Sequence, residues 1–169
     1  MGLLDYILSK MVLLIFLLLL VAAFTMVRES LTIYFVQQSA SNLASALADN
    51  VTRVLTSVRS THEVKIYRLP PALEAGNIRL PYDLKVEDYE RGNIKYVGIA
   101  ILDHVRGRAI AFDTVPVGDK KKVQVKVPKD SITSSALKEQ YFIVERTYDP
   151  GTGITTLKIC VKTEPTGCG

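Results

Sequence analysis

The sequence predicts an α+β chain: one long N-terminal hydrophobic α-helix followed by an antiparallel β-sandwich. Three observations predict it. Residues 3–69 contain no glycine and no proline, whereas all seven prolines and nine of the ten glycines fall in the remaining hundred residues. Glycine and proline are the strongest breakers of regular structure, so one long regular element comes first and turns follow. Met11 to Val27 reads MVLLIFLLLLVAAFTMV, seventeen residues without a charge. The rest of the chain instead shows short alternating runs separated by turn residues, the signature of strands. The expected division is a helix over 1–60 and a β-sandwich domain over 61–169, a natural partition for a chain of 169 residues.

The apolar segment sets the first element. Seventeen uncharged residues lie at the short end of what spans a bilayer. Leu3, Leu4, Tyr6, Ile7 and Leu8 extend its character upstream, interrupted by Asp5 and Lys10. Three fates fit: a cleaved signal peptide with Val21-Ala22-Ala23 as small cleavage residues, a permanent single-span anchor, or a helix first held in the membrane and later packed in a fibre. Lys10 precedes the segment and Arg28 follows it, with Glu29 alongside. The N-terminus is expected inside, because a β domain with a disulfide belongs outside.

Beyond the segment, Leu31 to Ala48 reads LTIYFVQQSASNLASALA and carries no charge. Ser39, Ala40, Ser41, Ala44, Ser45, Ala46 and Ala48 are small, and small residues let helix backbones approach closely. A helix standing alone in water carries a charged face, so this stretch is expected to be buried on most sides by protein. Leu43, Leu47, Val51, Val54, Leu55 and Val58 then recur at spacings of three and four, with Asp49, Arg53 and Arg59 on other faces. That stripe is amphipathic and is expected to pack on the β domain. A helix over about 3–59 would be roughly 85 Å long.

The strands follow in order: 63–69, 82–87, 94–102, 109–115, 122–127, 140–147 and 154–162. Turn residues Gly92-Asn93, Arg106-Gly107, Gly118-Asp119 and Asp149-Pro150-Gly151 separate the later ones. Val64 and Ile66 alternate with charged neighbours in the first run. Val123, Val125 and Val127 share one face, as do Leu157, Ile159 and Val161. Six or seven antiparallel strands of this kind suggest a sandwich of immunoglobulin-like character. Ser131 to Leu137 reads as a loop or one helical turn. Cys160 lies on the face opposite Leu157, Ile159 and Val161. A Cys160–Cys168 disulfide would pin the C-terminal tail back onto the last strand.

Chemistry-bearing motifs are sparse. Net charge is +4, which suits an extracellular or membrane-surface protein and does not call for nucleic acid. No CxxC pair or cysteine–histidine cluster exists, which argues against structural zinc. No G-x-S-x-G, P-loop or dinucleotide fingerprint occurs, so no enzyme and no cofactor is expected. Asp103-His104 reads as a solvated turn. Lys120-Lys121-Lys122 reads as a turn that guards an edge strand. Asn50-Val51-Thr52 matches a glycosylation sequon, with Asn50 as the candidate site, although it falls inside the helix.

The layout of Met11–Val27, the uncharged Leu31–Ala48 and the later strands resembles the type IV pilin superfamily, in particular archaeal pilins. The resemblance covers the architecture of the whole chain and rests on no short motif. It implies a lollipop architecture, with helices bundled at the centre of a filament and β domains outside. It implies a structural subunit of an extracellular filament, inserted in the membrane before assembly and self-associating into a helical homopolymer that presents adhesive surface. An assembly platform and a prepilin peptidase would be its partners. Leu13, Leu14, Phe16, Leu18, Leu20, Phe24, Leu31, Phe35, Ala40, Ala44 and Leu47 would be the assembly residues. Lys10 and Met11 stand where such a family's leader is cut, without the small residue often found before the cut. The bacterial-type glutamate is absent from Met11–Val27. The competing expectation is a single-span membrane-anchored accessory protein with an outward β-sandwich, such as part of a pilus or archaellum machine.

Overall fold

The computed structural model describes residues 2–57, 61–129, 132–133 and 139–168. Helix α1 runs Leu3–Thr56 without interruption, as expected of a stretch free of glycine and proline. At 1.5 Å per residue it is about 80 Å long. Its last turn carries Arg53, a favourable charge at the negative end of a helix. Val58 and Arg59, expected on this helix, lie outside the described residues.

The chain forms two compact units, Met1–Phe35 and Val36–Gly169. The boundary therefore falls inside the helix and not near residue 60. The reason is the amphipathic stripe. Val36, Ala40, Leu43, Ala44, Leu47, Ala48, Val51 and Val54 all belong to the core of the second unit. Each follows another by three, four or one residue, the positions that share one helix face.

The second unit contains strands β1 (His62–Leu69), β2 (Leu73–Ala75), β3 (Ile78–Leu80), β4 (Tyr82–Arg91), β5 (Ile94–Asp103), β6 (Ala109–Asp119), β7 (Val123–Lys126), β8 (Ile132–Thr133), β9 (Gln140–Asp149) and β10 (Ile154–Lys162). They form two four-stranded sheets, ordered β1-β9-β10-β7 and β6-β5-β4-β8, and a small β2–β3 hairpin. All pairs are antiparallel except β7 with β10, which is parallel. The seven expected strands are present. The β2–β3 hairpin was not expected, since three-residue strands carry too few alternations to register as a pattern. Strand β8 occupies two positions of the stretch 131–137; the remainder of that stretch lies outside the described residues. Gly92 and Gly107 take positive φ, 65° and 62°, at the β4–β5 and β5–β6 turns, where a side chain would be strained.

Both sheets and the helix contribute to one core. Phe142, Val144, Leu157 and Ile159 come from the first sheet, and Leu84, Val86, Val97, Ile99 and Val115 from the second. Val125, Val127 and Val161 pack against its margin. In β1 the inward residues are Tyr67 and Leu69, while Ile66 is 44% exposed. Val64 and Ile66 thus sit on the outer face, because period two places every inward residue of this strand at an odd position. Buried apolar area of this extent, at about 25 cal/mol per Å², is what holds the helix stripe to the sheets.

Candidate functional site

The feature that asks for a function is the surface of the first unit. From Tyr6 to Phe35 the large apolar side chains are between 50% and 71% exposed. Leu13, Leu14, Phe16, Leu18, Leu20, Phe24, Leu31 and Phe35 all lie in this group. An apolar surface on every side of a helix is far larger than soluble monomers expose and belongs in lipid or in other protein. The helix is long and apolar enough to cross a membrane, and no part of its most apolar stretch is buried.

Two hydroxyls in this region are satisfied within the helix. Thr25 Oγ1 donates to the Ala22 carbonyl at 2.8 Å. Thr32 Oγ1 donates to the Arg28 carbonyl at 2.9 Å. Hydroxyls closed onto the preceding turn can enter an apolar medium without loss of a hydrogen bond. Lys10 Nζ lies 5.4 Å from the centre of the Tyr6 ring, a cation–π contact. Arg28 and Glu29 are exposed and join none of the ion pairs among the described residues.

Three of the expected assembly residues sit elsewhere. Ala40, Ala44 and Leu47 are 0%, 1% and 0% exposed and belong to the core of their own chain. The sheets of the same chain cover them, so no second helix can reach them. The uncharged character of 36–48 has the same cause on this side. What remains exposed there is Gln37, Gln38, Ser41, Asn42 and Ser45. Gln38 Nε2 donates to Asn42 Oδ1 at 3.1 Å, and Ser45 Oγ donates to Asp113 Oδ2 on β6 at 3.1 Å.

The Lys10–Met11 bond lies within α1 and both side chains are exposed. Asn50 is half-buried and its Nδ2 donates to the Ala46 carbonyl at 2.8 Å. Val51 of the same sequon is fully buried, and Thr52 Oγ1 donates to the Ala48 carbonyl. The Asn50 amide and the Thr52 hydroxyl, the two groups a glycosyl-transferring enzyme reads, are thus both engaged by the helix.

Cys160 and Cys168 are disulfide-bonded, with Cα atoms 5.8 Å apart. The tail is further held by Cys168 N donating to Glu145 Oε2 at 3.0 Å and Lys162 Nζ donating to the Gly167 carbonyl at 2.6 Å. Ile143 pairs with Cys160 on this outer face and is fully buried, so the tail and the disulfide roof a small second cluster.

Asp103 and His104 do not act as a pair. Asp103 Oδ1 accepts from the backbone N–H of Val105 at 2.8 Å and of Arg106 at 3.2 Å. Those two bonds hold its carboxyl below the usual range. His104 Nδ1 turns to Asp83 Oδ1 on β4, 3.0 Å away. Asp149 is likewise lowered, first by the Thr152 hydroxyl and then by the Gly151 N–H, in the β9–β10 turn. Tyr82 is pushed upward chiefly by burial and donates its hydroxyl to the Pro70 carbonyl at 2.8 Å. Lys120 pairs with Glu90 at 3.6 Å, and the lysine run forms the turn before β7, an edge strand.

One open cleft of about 390 Å³ lies between Ser39, Asn42 and Leu43 of the helix and Pro70 to Glu74. Its carboxylate, Glu74, is paired with Arg79 at 3.3 Å. Among the described residues no group of three or more metal-ligating side chains comes together.

The chain has no match among protein families, curated proteins or solved structures.

Proposed function

We propose that this chain is the structural subunit of an extracellular type IV pilus-like filament, held in the membrane before assembly. The observation that carries the reading is the division of labour along α1. Its C-terminal half is consumed by the core of its own β unit, while its N-terminal half keeps an exposed apolar surface. Such a surface is stable in a bilayer, and it is equally stable in a bundle of copies. The helices would bundle through Leu13, Leu14, Phe16, Leu18, Leu20, Phe24, Leu31 and Phe35, and the β units would form the outer, adhesive surface. No catalysis and no cofactor is part of this reading. An assembly platform extracts the chain from the membrane, and a prepilin peptidase trims it where a leader is present.

A second reading has its own support. Met11–Val27 is bounded by Lys10 and Arg28, which suits a permanent single-span anchor of a membrane-bound accessory protein. Electron microscopy of sheared surface material, with mass spectrometry of the subunit's N-terminus, separates the two. Filaments containing the chain support the subunit reading, and their N-terminal residue shows whether Lys10–Met11 is cut. A chain that stays in the membrane fraction of cells without filaments supports the anchor.

A further inference from the structure

Two charges stand in the otherwise apolar surface. Arg28 and Glu29 are adjacent, so they project about 100° apart around the helix and cannot pair with each other in one chain. The positions three and four away from them are Phe24, Thr25, Met26, Leu31, Thr32 and Ile33, and none is charged. The only other ionised side chain between Tyr6 and Phe35 is Lys10, about 27 Å along the helix. Each charge therefore lacks a partner within its own helix. Removing an unpaired ionised group from water is prohibitive, whereas a hydrogen-bonded ion pair is tolerated.

We infer that Arg28 of one copy pairs with Glu29 of a neighbouring copy in the assembled bundle, the partner being a second copy of this chain. This rests on the filament reading above and supplies its register. The residue is self-complementary in the required sense: opposite charges, 1.5 Å apart along the axis, on two different faces. A helix then offers its arginine to one neighbour and its glutamate to another. That contact is heterologous and propagates as a helical stack. It also fixes the axial stagger, since the guanidinium and carboxylate must meet within the reach of two side chains. A bidentate arginine–carboxylate contact adds direction to an interface whose other contacts are apolar and tolerant of sliding.

The test is a cycle of full-length variants expressed in place of the native chain, read as the amount of subunit in sheared filaments. Arg28→Gln, Glu29→Gln, Arg28→Glu and Glu29→Arg each leave charge unpaired. Each is expected to lower filament yield roughly a hundredfold or more. The double neutral variant Arg28→Gln/Glu29→Gln and the swap Arg28→Glu/Glu29→Arg are expected to assemble to within about tenfold of the native chain. Membrane insertion and the Cys160–Cys168 disulfide should be normal in all six. Single variants that assemble at native yield overturn the pairing. So does a swap that fails as badly as the singles while still inserted and disulfide-bonded. Both results leave the filament reading standing, because the native chain still assembles. If the native chain itself yields no filaments, the filament reading falls and takes the pairing with it.

Discussion

Leu47→Ala should unfold the second unit early without touching the exposed apolar surface. Leu47 is fully buried in the core formed by the helix and both sheets. The substitution removes three carbons, worth about 0.8 kcal/mol each as transfer energy. The cavity left behind raises the cost to about 3–4 kcal/mol, in the range found for fully buried leucines. For a domain of this size each kcal/mol lowers the melting temperature by roughly 3–5 °C, so a fall of about 9–20 °C is expected. Leu18→Ala is the matched control. Leu18 is 61% exposed and has no packing within its own chain to lose, so its effect should stay within about 0.5 kcal/mol. The assay is a thermal melt of the full chain in detergent micelles, followed by the near-ultraviolet signal of the tyrosines with the disulfide kept oxidised. Equal melting of Leu47→Ala and the native chain would refute the assignment of this residue to an intrachain core. Equal destabilisation by the two variants would refute the division of α1 at Phe35/Val36.

Other perturbations follow from single contacts. A Cβ at Gly98 would lie 3.1 Å from Cε2 and Cζ of Phe112 and 3.3 Å from Cε1 of Tyr89, so Gly98→Ala should cost about 1–2 kcal/mol in a denaturant titration. The Phe112→Ala background should remove most of that penalty, since Phe112 is exposed and its ring is the nearest obstacle. Cys160→Ser/Cys168→Ser opens a loop whose ends are eight residues apart; chain entropy puts the loss near 2.5 kcal/mol. Ile143 and the residues beside it on the outer face should then become the first amides to exchange. Asp103 and Asp149 have lowered carboxyl pKa values, so their contribution is present above the ordinary value of 3.8 and is lost as pH falls through the lower folded values. Protection of the amides of Val105, Arg106 and Gly151, taken relative to their intrinsic exchange rates, should fall only in that acidic window. Unchanged protection of those amides once both carboxylates are protonated would contradict the turn assignment.

Much of the fold was legible in the sequence because it rests on local physics. An unbroken run without glycine or proline can be one helix. Seventeen uncharged apolar residues can only be lipid-facing or protein-buried. Alternation with period two, cut by glycine and Asx turns, marked seven strands to within a few residues at each end. The opposite placement of Cys160 and Ile159 also needed nothing beyond that period. Where patterns are short, the sequence was silent: β2 and β3 pair only with each other, and β8 is a two-residue addition to the edge of β4.

The function-bearing surface divides in the same way. Sequence alone determined that the stretch from Tyr6 to Phe35 is predominantly apolar and that Lys10, Arg28 and Glu29 are its only charges. Composition fixes those facts whatever the chain packs against. It could not tell which of the small, uncharged residues after Leu31 face another copy and which face their own sheets. Ala40, Ala44 and Leu47 look identical in either setting, because burial removes water in the same way whoever supplies the cover. Only the tertiary structure decided that. It brought Phe142, Leu157, Val97 and Val115 into one core with the helix stripe from sequence positions far away. It left the large apolar side chains from Tyr6 to Phe35 half or more exposed.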